Sequence, residues 1–204
     1  MVATSALSKP KRFRKIPDYL ISEVLDGKPL YYRGYKDVLK GKKTLEEIMG
    51  SSSLQAAIID CLLQIIYKFI DVKKYRVHTN EAGLYLELND NLSGDILIYD
   101  KTVLTADKIN THYANVPPKI DIEIDVNIDL SDINEMDYIL AKTQKLLNFG
   151  VEKVIWILSK SQKVFVATPN VPWLIYDWTT DIEIMDNQFF NIAAFIKEEG
   201  IVLG

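Results

Sequence analysis

Two carboxylates and one lysine stand out in this sequence, because each falls where its neighbours make a charge difficult to solvate. The stretch IDIEIDVNID, residues 120–129, alternates Ile120, Ile122, Ile124, Val126 and Ile128 with Asp121, Glu123, Asp125, Asn127 and Asp129. Alternate side chains of a strand leave opposite faces, so the segment carries one oily face and one acidic face. The acidic row is either a wetted surface or a site. Asp95 opens a second strand-like run, DILIY, and can bring another carboxylate beside Glu123. Lys142 lies in a helical stretch, three residues after Ile139 and four before Leu146. At about 100° per residue, Met136, Tyr138, Ile139, Leu140, Leu146, Leu147 and Phe149 fill one arc, and Lys142 falls inside it. A lysine on such a stripe must either extend its ammonium to water or meet a carboxylate. Two carboxylates and a lysine converging at a sheet suit a hard cation and phosphodiester hydrolysis.

Depth favours a meeting. From Glu123 to the strand's end near Val126 is about 10 Å, at roughly 3.3 Å per residue. From the helix start near Met136 to Lys142 is about 9 Å, at roughly 1.5 Å per residue. The helix retraces the strand, so Lys142 and Glu123 arrive at similar depth. Replacing Lys142 by Met is expected to keep the packing, and relief of a buried ammonium to raise stability if anything. Lys145, at the arc's edge, is the expected neutral comparator.

Other motifs fail on their spacing. NDNLSGDILIYD, residues 89–100, imitates a calcium loop with Gly94 at its sixth position, but begins with Asn89, ends with Asp100 and has strand-like flanks. Gly41-Lys42-Lys43-Thr44 lacks the glycine placement of a phosphate loop, and no dinucleotide fingerprint or nucleophile elbow occurs. His78 and His112 lack zinc-ligand spacing. Cys61 sits in an apolar helical stretch and reads as packing, not as a nucleophile.

The elements that must position these groups are legible in outline. Asp26-Gly27 reads as a turn between two short extended pieces of residues 17–32. Thr44 and Glu47 have capping-box spacing for a brief helix ended by Gly50. Ser53 can cap a longer helix to about Ile70, with Leu54, Ile58, Leu62, Ile65, Ile66 and Phe69 on its inner face. Strands are expected at Tyr75–Thr79, Gly83–Leu88, Asp95–Tyr99 and the acidic stretch. A helix at Met136–Phe149 is stopped by Gly150, and VEKVIWIL follows as a buried strand. Strand, helix and strand in about forty residues make a crossover unit with parallel strands. KVFVAT, WLIYDW and DIEIM read as later strands and Phe189–Lys197 as a last helix. Trp156, Trp173 and Trp178 read as packing. The fold class is α/β in composition, a mixed α+β arrangement with helices flanking a mixed sheet.

Composition sets the outer limits. The chain has 204 residues, 48% hydrophobic and 25% charged, which suits one globular domain over residues 16–204. The lone Cys61 excludes an internal disulfide and fits a cytoplasmic setting. No apolar run approaches a membrane span. The net charge of −4 disfavours indiscriminate coating of nucleic acid, yet KPKRFRK, residues 9–15, holds five basic residues and no acid. Residues 1–15 are therefore expected to form a flexible basic arm. A homodimer is left open.

The same residues carry a resemblance. SGDILIYD, PPKIDIEIDV and DYILAKTQKLLNFGVEKVIWIL together resemble the Uma-two family of the PD-(D/E)xK nuclease superfamily, and SEVLDGKPLYY resembles that family's opening Glu-Leu-Ile-Asp-Gly segment. The likeness spans roughly residues 17–178. It implies a restriction-endonuclease-like core and a metal-dependent endonuclease acting on DNA. It also implies that Asp95 and Glu123 are the family's two acids and would hold Mg²⁺, with Mn²⁺ as a substitute and a backbone carbonyl near Ile124 completing the shell. Two residues after Glu123, where the superfamily usually has lysine, stands Asp125. The resemblance moves that lysine to the following helix, at Lys142, where it would orient or help deprotonate the attacking water and offset developing phosphate charge. One departure is the stretch SSSLQ, where the family often has a histidine after a serine and this chain has Leu54 and Gln55. A non-catalytic DNA- or protein-binding module derived from such a fold is the alternative.

Overall fold

The structure is a computed structural model that describes residues 15–88 and 90–203. Of the basic arm only Lys15 is described, exposed and 3.2 Å from Asp18; Lys9, Lys11, Arg12 and Arg14 lie outside the described residues.

The chain opens with a hairpin, β1 (Ile21–Leu25) and β2 (Lys28–Tyr31), closed where expected by Asp26 and Gly27, both at positive φ. Two short helices follow, α1 (Tyr35–Leu39) and α2 (Glu46–Met49). The capping box entering α2 is reciprocal: Thr44 N–H donates to Glu47 Oε2 at 2.6 Å and Glu47 N–H to Thr44 Oγ1 at 3.4 Å. The long helix α3 (Ser53–Phe69) is capped by Ser52 and not by Ser53. Ser52 Oγ takes the N–H of Gln55, three residues on, at 3.1 Å. Ile58, Leu62 and Ile66 form its fully buried stripe.

Next come β3 (Tyr75–Glu87) and β4 (Asp90–Asp100), paired along nearly their whole length. The break expected between Thr79 and Gly83 is a bulge inside one strand, with Asn80 and Glu81 in left-handed conformation. The remaining elements are β5 (Ile120–Ile124), α4 (Glu135–Phe149), β6 (Lys153–Leu158), β7 (Lys163–Ala167), β8 (Leu174–Asp177), β9 (Ile182–Met185), β10 (Gln188–Phe190) and α5 (Ile192–Glu198). Phe189 and Phe190 thus end a strand and do not begin the last helix.

One eight-stranded sheet runs β2-β1-β4-β5-β6-β7-β8 with β3 on β4, and β9–β10 form a separate pair. Among the described strands β5 and β6 pair in parallel, joined by the α4 crossover, and the other strand pairs are antiparallel. Helices cover both faces. Ile120, Ile122 and Ile124 join the core built with Ile58, Leu62 and Ile66 of α3, whereas Tyr138, Ile139 and Leu146 of α4 pack with Leu97, Tyr99 and Trp156 in the other.

The acidic stretch is a strand only in its first half. β5 ends at Ile124, and Asp125 turns the chain at φ 60° while its Oδ1 accepts the N–H of Ser159 at 2.6 Å. After the turn Val126 and Ile128 join the α4-side core, opposite to the isoleucines before it. The arc on α4 is also narrower than the helical wheel suggests. Tyr138, Ile139, Lys142, Thr143 and Leu146 are buried, but Met136 and Leu140 are each 39% exposed.

Cys61 stays within α3 and is half-buried, and burial, with Asp60, Glu198 and Glu199 nearby, pushes its thiol up to about 11. Iodoacetamide should therefore alkylate it about 100-fold more slowly at pH 8 than an unperturbed thiol, whose pKa is about 8.5. The rate should keep climbing with pH to about 11, as followed by mass spectrometry. Rapid labelling at neutral pH would show an activated thiolate.

Candidate functional site

Asp95, Glu123 and Lys142 line one cavity of about 40 Å³ on the α4 side of β5, reached from β1, β4, β5 and α4. All three are nearly inaccessible, Asp95 at 8%, Glu123 at 5% and Lys142 at 2% exposure. The acidic row is not a wetted face. Asp95 is steadied from two elements: its Oδ2 accepts the N–H of Ile124 at 2.7 Å, and Gln55 Nε2 stands 3.4 Å from both oxygens. The bond to Ile124 ties the first acid to the residue that follows the second.

Lys142 does not extend to solvent. Its Nζ donates to Glu23 Oε1 at 2.8 Å and forms an ion pair with Glu123 Oε1 at the same distance. Its Nζ stands 5.4 Å from the centroid of the Trp156 ring and 5.9 Å from that of Tyr138, and these two rings meet edge to face with centroids 6.0 Å apart. Burial works to lower the lysine's pKa, but Glu123 and Glu23 overcome it and hold the ammonium well above the ordinary lysine value. Lys142 is therefore a fixed cation.

Glu23 is the residue that sequence reasoning missed. It is 4% exposed and fully engaged: Ser93 donates its N–H at 3.0 Å and its Oγ–H at 3.1 Å to Oε1, and the Tyr138 hydroxyl donates to Oε2 at 2.7 Å. The signal was available. In β1, Glu23 has the parity of buried Leu25, so it is an acid on an inward-facing row, just as Lys142 is a base on one. Gln55, in the stretch that lacks the expected histidine, is a second missed neighbour.

Asp121 is more deeply buried still. It has no exposed surface, neither oxygen accepts a hydrogen bond, and burial pushes its carboxyl up to about 8. At neutral pH it is mostly the neutral acid, which is far cheaper to bury than a carboxylate. Gly94 is glycine for the same crowding: a Cβ there would stand 2.7 Å from Asp121 Oδ1 and 2.4 Å from Leu97 Cδ2. Asp125 lines the cavity but spends an oxygen on Ser159.

Hard oxygen donors around a small polar cavity, the carboxylates of Asp95 and Glu123 among them, fit a divalent ion. Among the described residues no three Asp, Glu, His or Cys side chains are grouped to hold one, so Asp95 and Glu123 would need backbone oxygen or water to complete a shell.

A solved structure has the same architecture: a proposed nuclease belonging to DUF820 from Anabaena variabilis, with a TM-score of 0.62 and 14% identity over 86% of this chain and 89% of that chain. The likeness is one of fold. The chain is thus a mixed α+β protein with a nuclease-like architecture. No protein-family model and no curated protein matches the sequence, so the likeness to the Uma-two family rests on the motifs that carry it. No helix among the described residues is long and apolar enough to cross a membrane.

The clasp around Lys142 reverses the stability expected of Lys142→Met. Removing the ammonium strands Glu23 and Glu123 as buried, uncompensated carboxylates, which costs about 3–5 kcal/mol. Burial already raises the Glu123 carboxyl well above its ordinary value, and protonation neutralises it, so the deficit should be larger at pH 7 than at about pH 4, near the unfolded glutamate value. Urea denaturation at both pH values checks this. Adding Glu23→Gln and Glu123→Gln should recover much of the loss; equal stability of wild type and Lys142→Met at pH 7 would contradict it.

Proposed function

We propose that this chain is a metal-dependent endonuclease, of the restriction-endonuclease-like kind, that hydrolyses DNA phosphodiester bonds. What supports the reading is a single arrangement: two buried carboxylates and a buried lysine lining one small cavity in a nuclease-like fold. Asp95 and Glu123 are the residues that would hold Mg²⁺ or Mn²⁺. When bound, such an ion supplies Lewis acidity and lowers the pKa of its water. Ile124 N–H and Gln55 fix the direction of the Asp95 carboxylate. Lys142 remains protonated through the neutral range, so its role is to orient the attacking water and offset phosphate charge, not to accept a proton. Membership of the Uma-two family and a cytoplasmic location are parts of the same proposal.

A second reading has one observation in its favour. Lys142 is held by Glu23 as well as Glu123, and Glu23 turns its ammonium toward β1. A closed clasp of this sort suits a binding module that keeps the fold of a nuclease without its chemistry.

The deciding experiment incubates the protein with plasmid DNA and with RNA in Mg²⁺, Mn²⁺ or EDTA. The nuclease reading expects cleavage that needs the ion and falls about 100-fold or more in Asp95→Asn and in Glu123→Gln. Lys145 is unsuited as a comparator, because it bridges Asp26 at 2.8 Å and Asp90 at 2.6 Å. Exposed Lys73→Met serves instead and should retain its rate. DNA binding without cleavage in any metal would establish the second reading.

A further inference from the structure

Charge is spread unevenly along the chain. Residues 1–43 carry eleven of its 24 Lys and Arg but only four of its 28 Asp and Glu. Within the described residues the basic density peaks at RGYKDVLKGKK, residues 33–43, where Arg33, Lys36, Lys40, Lys42 and Lys43 accompany one acid, Asp37.

This segment is fastened to the wall of the carboxylate cavity. Arg33 donates its backbone N–H to Asn127 O at 3.1 Å and its guanidinium to Val126 O at 2.6 Å, and Tyr32 bridges Ile128. Val126, Asn127 and Ile128 line the cavity. Lys36 reaches Ser131 at 2.7 Å and Asp129 at 3.4 Å just beyond them. Past α1, Gly41 turns the chain at φ 68°, and its N–H and that of Lys42 are bonded back to Val38 O and Asp37 O, each at 2.9 Å. Lys40, Lys42 and Lys43 are thus carried by ordered backbone, are exposed, and form no ion pair among the described residues. Ile16 packs on the Leu20, Tyr35 and Ile48 cluster beneath α1 and α2.

We propose that residues 33–43 form the surface that holds the phosphate backbone of a DNA strand running to the carboxylate cavity. The proposal deepens the nuclease reading, on which it rests for the direction of the strand. The physical need is clear. A cavity lined by carboxylates repels a polyphosphate, and at physiological salt charges are screened beyond about 8 Å, so the attracting cations must adjoin the cavity. Lysines serve as point charges for phosphates irrespective of sequence. An anionic lipid surface is the rival ligand, but α1 has five residues and α2 four, too short for an interfacial amphipathic helix.

The test compares the full chain with two triple variants, Lys40/Lys42/Lys43→Gln and the control Lys68/Lys73/Lys74→Gln, all exposed positions. Binding to a short DNA duplex is measured in EDTA across a series of salt concentrations. Each phosphate contact contributes about 0.9 to the slope of log affinity against log salt, so the first variant should lose about 2–3 from the slope and bind about tenfold more weakly at 100 mM salt. The control should keep the wild-type slope. The surface is overturned if the first variant keeps that slope, if the wild type does not bind the duplex, or if the variant loses only its binding to phosphatidylserine vesicles. Parallel cleavage assays in Mg²⁺ separate the two ideas. Cutting with an unchanged slope removes the surface and leaves the nuclease reading. A reduced slope without cutting in any metal keeps the surface and removes that reading.

Discussion

A single buried ammonium organises the centre of this protein. Lys142 enters the space between α4 and the sheet with nothing to solvate it but Glu23, Glu123 and two aromatic rings. Each of those partners belongs to a different element, so the lysine fixes the depth of α4 against β1 and β5 at once. A hydrophobic residue in its place would let the helix slide along the apolar sheet face. An ion pair permits one register, because displacement by a single helical step would strand three charges in a medium where none can be hydrated.

The surrounding acids follow from that arrangement. Glu23, Asp95, Asp121 and Glu123 crowd about one cation, and the protein manages the surplus in distinct ways. Glu23 is saturated by donors from Ser93, Tyr138 and Lys142. Asp95 draws on the Ile124 N–H and Gln55. Asp121, which has neither donor nor cation in contact, is raised to about 8 by burial and rests as a neutral acid. One row of like residues in the sequence therefore holds chemically unlike groups.

The sequence displayed this site through misplacement. Lys142 on an apolar arc and acids in alternation with isoleucine pointed to a meeting within the fold, and the crossover unit was legible from its strand, helix and terminal glycine. The geometry of the ends was not legible. Nothing in the even alternation of residues 120–129 signals that Asp125 takes φ 60° and sends Val126 and Ile128 to the other core; the bond that accompanies the turn comes from Ser159, 34 residues further along. Likewise the bulge at Asn80 and Glu81 shows in the register of β3 against β4, although asparagine itself favours the left-handed region. Glu23 escaped notice because its strand is five residues long, too short for parity to speak loudly. Its partner stands 119 residues away.

That separation has a consequence for the order in which the protein is made. Hairpins β1–β2 and β3–β4 close through contacts between chain neighbours, whereas the clasp joins the first strand to a helix two-thirds of the way along. Contacts of such span form late, after the loops between them have been restrained. No fragment that ends before Lys142 can contain the clasp, so a nascent chain on the ribosome carries its acids uncompensated until α4 has emerged. The centre is thereby completed only once α4 has been made.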